Sequence, residues 1–151
     1  MKIVAFLVGF SSLVLGAKAD CCKNGWLSYE GHCYYIGYET LLTFTSAWAY
    51  CNTRGAYLVR LETPGEYLFV KEYLKKTGAR TPWIGLTDMD SEGKWQWMDT
   101  GKHIQFSDWA YGQPDNAGNE DCVHLNSYMK FKWNDVRCSY KFIPLCEYDL
   151  S

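Results

Sequence analysis

Two short stretches in the C-terminal half concentrate oxygen-bearing side chains: Gln113-Pro114-Asp115 followed by Glu120, and Trp133-Asn134-Asp135. Amide and carboxylate oxygens at this density are what a hard, weakly directional cation collects. Calcium is the expected ion, because it takes roughly 6–8 oxygen ligands at flexible geometry. The side chains of Gln113, Asp115, Glu120, Asn134 and Asp135 would supply most of that shell and leave one or two positions for something else. A vicinal diol could fill them, so the chemistry to expect is metal-assisted recognition of a sugar, with calcium as the cofactor. Taken singly, Gln113-Pro114-Asp115 and Asn134-Asp135 would each also fit an ordinary turn, and Trp133 reads as a core residue in either case.

The elements that must hold these residues can be sketched from periodicity and punctuation. Cys22 to Tyr35 reads as a short hairpin turning at Glu30-Gly31, with Trp26, Tyr29, Tyr34 and Tyr35 as β-favouring residues. Cys33 could tie the far end of that hairpin to Cys22. Thr45 or Ser46 is expected to cap a first helix running to about Asn52, with Ala47, Tyr50 and Cys51 on one face and Gly55 ending it. Thr63-Pro64-Gly65-Glu66 opens a second helix whose apolar stripe is Leu68, Phe69, Tyr73 and Leu74, closed by Lys75-Lys76 and Gly78. Short β runs follow at Trp83 to Leu86 and Lys94 to Trp97. After them comes a long irregular segment from Ser107 to Glu120, rich in Gly, Asn, Asp and Pro, of the kind that is usually functional inside a compact domain. Cys122 to Leu125, Phe131 to Trp133 and Phe142 to Tyr148 supply the last strands. The expectation is an α+β domain, helices first and sheet second, carrying one large loop.

The ends and the composition bound the rest. Met1-Lys2, an apolar run from Ile3 to Leu15 and the Ala17-Lys18-Ala19 exit have the form of a secretory signal and are too short for a membrane span. Residues 1–19 are therefore expected to be removed, leaving 20–151 as one domain in a secreted, extracellular product. The formal charge of -2 becomes -4 without Lys2 and Lys18, since 13 Lys and Arg then face 17 Asp and Glu. Nucleic acid and anionic membrane are poor partners for such a chain. No N-glycosylation sequon or membrane anchor is expected.

Seven cysteines, Cys21, Cys22, Cys33, Cys51, Cys122, Cys138 and Cys146, all follow the signal, which points to disulfides in an oxidising compartment. Six can pair and one is left over, and the spacing alone leaves the connectivity open. A zinc site is disfavoured because no Cys-x-x-Cys pair occurs.

Taken together, the residues from Cys22 onward resemble the C-type lectin family. The resemblance covers essentially the whole of 20–151. The opening is Cys22-Lys23-Asn24-Gly25-Trp26 with Cys33-Tyr34, the central strand Trp83-Ile84-Gly85-Leu86, and the ending Trp133-Asn134-Asp135 with Cys138 and Cys146-Glu147. It implies two helices flanking small antiparallel sheets, a long calcium-binding loop, and bridges Cys22 to Cys33, Cys51 to Cys146 and Cys122 to Cys138. It also implies a cis bond before Pro114. Gln113-Pro114-Asp115, Glu120 and Asn134-Asp135 all fall at the family positions of one oxygen-rich site, which favours that site over separate turns.

The resemblance also fixes what the site should read. Amide first and carboxylate second, as in Gln113 and Asp115, is the order of the family's galactose and N-acetylgalactosamine readers, whereas Glu-Pro-Asn goes with mannose. Many galactose readers place a stacking Trp after the tripeptide. Asn116-Ala117-Gly118 stands here instead, so an apolar sugar face would have to meet Tyr111, His124 or Tyr128. Asp88, Glu92, Asn116, Glu120 and Asp121 resemble a second calcium site, with Asn116 where a carboxylate is common; a solvated acidic turn is the plain alternative for Asp88 and Glu92. Cys21 is a candidate for an intermolecular bridge in a homodimer, which would raise avidity for glycans bearing terminal galactose or N-acetylgalactosamine. A role in pathogen recognition, agglutination or innate immunity would follow by family analogy.

Other classes are less well supported. A hydrolase would need two carboxylates about 5 Å or more apart across the scissile bond, and the adjacent Glu120 and Asp121 do not offer that. His32, His103 and His124 have no nucleophile placed with them in a motif. The stronger alternatives keep the fold and change the ligand: a module binding protein, ice or mineral, or a lectin with mannose or broad specificity.

Overall fold

The computed structural model of the chain describes residues 21–151; the expected signal, 1–19, lies outside the described residues. Helix α2 (Pro64–Thr77) begins and ends where its punctuation demands. Thr63 caps it by accepting from the Glu66 N–H at 3.2 Å, Pro64 occupies the first turn, and Gly78 closes it at φ 62 in the left-handed region. Helix α1 (Phe44–Asn52) starts earlier than expected, with Thr43 as its cap in place of Thr45 or Ser46. The reason is burial: Phe44, Ala47 and Cys51 form its inward face, and starting later would strip Phe44, which is wholly buried, from the helix.

The strands are β1 (Leu27–Tyr29), β2 (His32–Ile36), β3 (Tyr57–Leu58), β4 (Pro82–Thr87), β5 (Gln96–Trp97), β6 (Cys122–Asn126), β7 (Lys132–Val136) and β8 (Ile143–Asp149). They run β1-β2-β8-β4-β6-β7, with β3 on β8 and β5 on β4. The helices-first reading therefore needs correcting. The opening hairpin pairs with the final strand, His32 opposite Asp149 and Ile36 opposite Leu145. The sheet is also mixed, because β4 and β8 run parallel through Pro82 to Ile143 and Trp83 to Pro144. Strand β3 is too short to announce itself by alternation.

Strand β4 is buried along its whole length and is the hub between the two halves. Gly85 permits this: a Cβ there would lie 2.6 Å from the Leu58 carbonyl oxygen. Around β4 the core divides into a cluster under α2 and one under α1. In the first, the Trp133 ring meets Tyr67, Trp97, Phe106 and Trp109 edge-on or tilted at 5.7 to 6.1 Å between centroids. That cage fixes β7, and with it the next two residues, Asn134 and Asp135.

Three bridges close the frame as the resemblance implied: Cys22–Cys33, Cys51–Cys146 and Cys122–Cys138. The second joins α1 to β8 across 95 residues, a loop long enough for closure entropy to contribute about 4 kcal/mol or more. Cys21 is exposed and unpaired. Among the described residues no helix is long and apolar enough to cross a membrane.

Candidate functional site

The segment from Ser107 to Asp121 leaves the sheet as one irregular loop and returns to it at β6. Its start is pinned by main-chain bonds to β7: Trp133 N–H donates to Asp108 O at 3.0 Å and Ala110 N–H to Trp133 O at 2.8 Å. Its middle is turned by residues in the left-handed region, Gly112 (φ 78), Asn116 (φ 49), Gly118 (φ 78) and Asn119 (φ 65), and by a cis bond between Gln113 and Pro114. The abundance of Gly and Asn is thus a conformational requirement of this path.

Asp135 is the clasp. Buried on β7, it accepts the Asp115 N–H on Oδ1 at 3.2 Å and the Asn116 N–H on Oδ2 at 2.8 Å. Asn116 in turn accepts the Glu120 N–H at 2.8 Å, and Asp115 accepts the Ala117 N–H at 3.2 Å. The result is that Asp115, Glu120 and Asp135 each bring a carboxylate oxygen within 4.8 Å of the others. Gln113 joins them by donating its amide to Asp115 Oδ2 at 3.3 Å, and its Oε1 is buried with no partner. Burial, then the hydrogen bond to Asp115 and the charges of Asp135 and Asp115, push the Glu120 carboxyl up to about 7. Three crowded acids and an orphaned amide oxygen form a donor set that a hard divalent cation fits.

A second cluster adjoins the first. Asp88, Glu92 and Asp121 also bring carboxylate oxygens within 4.8 Å of one another. Asp88 Oδ1 and Asp121 Oδ1 are buried without partners, while Asp88 Oδ2 accepts the Gly93 N–H at 2.8 Å. Burial above all pushes Asp88 up to about 6, opposed by the Gly93 bond and reinforced by Glu92 and Asp121. The simple solvated turn does not describe Asp88, which is buried; Glu92 is exposed.

The expected sugar-facing rings fare differently. His124 is 5 % exposed, edge-on to Phe142 at 4.4 Å and tilted to Trp83 at 6.4 Å. It offers no open face for stacking, because its position on β6 turns the ring into the α1-side core. What it does offer is Nε2, 3.0 Å from Asn134 Nδ2 on the paired strand. Burial drives its pKa down to about 4, so the ring is neutral at physiological pH. Tyr128, 96 % exposed, sits on a 3-10 turn (Ser127–Met129) at the tip of the β6–β7 hairpin, beyond the register pairs that separate it from Asp135. Tyr111 is also fully exposed and precedes Gln113 by two residues.

Sequence reasoning missed Arg137. Its Nε donates to Gly118 O at 3.2 Å, bracing the loop from just past β7. A lone arginine after Asp135-Val136 carries no motif that would have marked it.

A family model for the lectin C-type domain matches residues 40–148. The chain belongs to the C-type lectin family, and its described part is a C-type lectin carbohydrate-recognition domain, a binding fold and not an enzyme. Among curated relatives, a perlucin-like protein from Mytilus galloprovincialis is 31 % identical over 146 residues, covering 92 % of this chain and 93 % of that one. Asialoglycoprotein receptor 1 from Rattus norvegicus is 34 % identical over 142 residues, covering 89 % of this chain but only 47 % of the receptor. Among solved structures, the mouse scavenger receptor C-type lectin carbohydrate-recognition domain superposes with a TM-score of 0.78 at 32 % identity, covering 86 % of this chain and 98 % of that one.

Proposed function

We propose that the chain is a calcium-dependent lectin that binds galactose and N-acetylgalactosamine-type sugars at the loop. The observation that carries this reading is the donor set itself: Gln113 Oε1 buried without a partner beside the mutually repelling carboxylates of Asp115, Glu120 and Asp135. Gln113, Asp115, Glu120, Asn134 and Asp135 would hold a principal calcium ion. Asp88, Glu92, Asn116, Glu120 and Asp121 would hold a second one that keeps the loop ordered. When bound, calcium supplies a Lewis-acidic point to which two neighbouring sugar hydroxyls can coordinate.

The rest of the recognition lies in the protein's own groups. The Gln113 and Asn134 amides can donate to sugar hydroxyl oxygens, while Asp115 and Glu120 can accept hydroxyl protons. Each hydroxyl is thereby read by one donor and one acceptor, and the amide-then-carboxylate order of Gln113 and Asp115 favours a diol with an axial 4-hydroxyl. His124 acts on this set only through Asn134, by fixing which way its amide turns. Tyr111 and Tyr128 are the exposed rings left to meet the apolar face of the sugar. Similarity to a receptor named for asialoglycoproteins supports a glycan ligand of this kind.

The same reading includes secretion after removal of residues 1–19 and a disulfide between the exposed Cys21 thiols of two copies, giving a bivalent molecule suited to repetitive glycans.

The test is calorimetric titration with N-acetylgalactosamine and with mannose, each in calcium and again with chelator. Calcium-dependent heat favouring N-acetylgalactosamine is expected. Mannose preference would overturn the specificity, and absence of sugar heat in calcium would overturn the lectin reading in favour of a protein or mineral ligand.

A further inference from the structure

A separate set of metal-competent side chains lies where β2, β3 and β8 meet, on the opposite side of the strand order from β7. His32 and Asp149 are directly opposed in the β2–β8 ladder, and Glu147 is two residues from Asp149, so all three side chains project from one face. Nδ1 of His32 lies 2.8 Å from Glu147 Oε1 and 2.8 Å from Asp149 Oδ1. A single N–H can be aimed well along only one of those lines.

Each carboxylate has its other oxygen engaged by one residue. Glu147 Oε2 accepts the Arg60 N–H at 2.9 Å, and Asp149 Oδ2 faces Arg60 Nη2 at 3.3 Å. Outer partners of this kind orient ligating oxygens toward a common point. Glu66, the neighbouring buried acid, is saturated, accepting Tyr34 Oη–H at 2.8 Å and the Glu62 N–H at 3.0 Å. Asp149 Oδ1 also accepts Tyr57 Oη–H at 2.8 Å and keeps a second lone pair, so the three atoms that converge are one imidazole nitrogen and two carboxylate oxygens.

We propose that His32, Glu147 and Asp149 form a binding site for a divalent transition-metal ion of the zinc class, independent of the loop site. Nitrogen with two carboxylates suits zinc, whereas calcium takes oxygen ligands. Bond lengths of roughly 2.0–2.2 Å to zinc require the two 2.8 Å edges to open by about 0.5 Å. That is within reach of the His32 and Asp149 side chains, which are 36 % and 49 % exposed. A cavity of about 310 Å³ lined by Tyr29, Glu30, His32, Glu62, Thr63 and Glu66 gives access from solvent, and its acids favour entry of a cation. A bound ion would cross-tie the opening hairpin to the last strand.

The full chain carrying Cys21→Ser, so that the exposed thiol does not compete, is titrated with zinc chloride in excess calcium. One equivalent of zinc is expected to bind and to raise the unfolding temperature. The ¹⁵N resonance of His32 Nδ1 should shift on zinc addition. His32→Gln and Asp149→Asn should each weaken zinc binding at least tenfold and abolish the rise in unfolding temperature. An unmoved Nδ1 resonance, or zinc affinity unchanged in both variants, overturns the proposal. The resonance is read in the parent, so that arm decides even if a variant fails to fold.

Discussion

The domain handles clustered acids in two ways. At the junction of α2 with β2 and β8, Glu66 is answered by a tyrosine hydroxyl and a main-chain amide, Glu147 by an amide and an imidazole, and Asp149 by Tyr57, His32 and Arg60. The donors there come from β2, from β3 and from the short segment between β3 and α2. In the loop, Asp115, Glu120 and Asp135 face mainly each other and a few main-chain amides, on a path that needs four residues at positive φ. The first region is complete in its own hydrogen bonds except where two oxygens share one nitrogen. The second leaves carboxylates crowded together and the Gln113 amide oxygen without a partner, and on the proposed calcium reading stability and binding should separate by region when either is perturbed.

The largest separation should come from Asp135→Ala. It removes a buried donor oxygen and the clasp on Asp115 and Asn116 together, so calcium-dependent sugar binding should fall by more than the roughly 10–100-fold typical of losing an outer partner at a metal site. Calorimetry reads that loss, and a far-ultraviolet spectrum equal to the parent's would show the body intact. Replacing Cys51 and Cys146 by alanine should do the reverse, costing about 2–5 kcal/mol in denaturant unfolding while sugar affinity in calcium persists below the midpoint. Two glycines sharpen the contrast. Gly85→Ala presses a methyl against the Leu58 carbonyl and should cost about 1–3 kcal/mol of stability. Gly118→Ala collides with the Arg137 guanidinium at φ 78 and should cost about 1 kcal/mol of stability while also weakening calcium binding. Exchanging donor and acceptor with Gln113→Glu and Asp115→Asn should move preference from N-acetylgalactosamine toward mannose by roughly tenfold, measured as a ratio of dissociation constants. The smallest effect is expected from Tyr111→Ala, about 1 kcal/mol of sugar affinity; an equal loss from Tyr128→Ala instead would assign the stacking ring to the hairpin tip.

Local signals were the legible ones. Thr63, Pro64 and Gly78 bounded α2 correctly because cap chemistry acts within a turn. The same logic missed the start of α1, where Thr43, Thr45 and Ser46 compete as caps and only the burial of Phe44 decides. Strand β3, the pairing of β2 with β8 and the parallel contact of β4 with β8 depend on partners far along the chain and leave no period in the sequence. In the loop, oxygen-bearing residue types stand out in the sequence itself, and the carboxylate oxygens of Asp115, Glu120 and Asp135 do converge. His124 stands among three candidate stacking rings in the sequence because a histidine on a short strand gives no sign of which face it occupies; the ring is buried on β6, opposite Asn134. The His32, Glu147 and Asp149 group was invisible for the complementary reason, since a strand near the start and one near the end meet only after folding.

The zipper between β2 and β8 also shapes how the domain can be built upon. Lys23 N–H donates to Tyr148 Oη at 2.8 Å and Leu150 N–H to Gly31 O at 2.8 Å, so the incoming and outgoing chain are fastened side by side. A unit entered and left through one doorway can be spliced into a surface turn of an unrelated host without prising its own sheet apart. Engineers seeking a portable glycan reader would therefore join cargo at that doorway and leave the β6–β7 hairpin free.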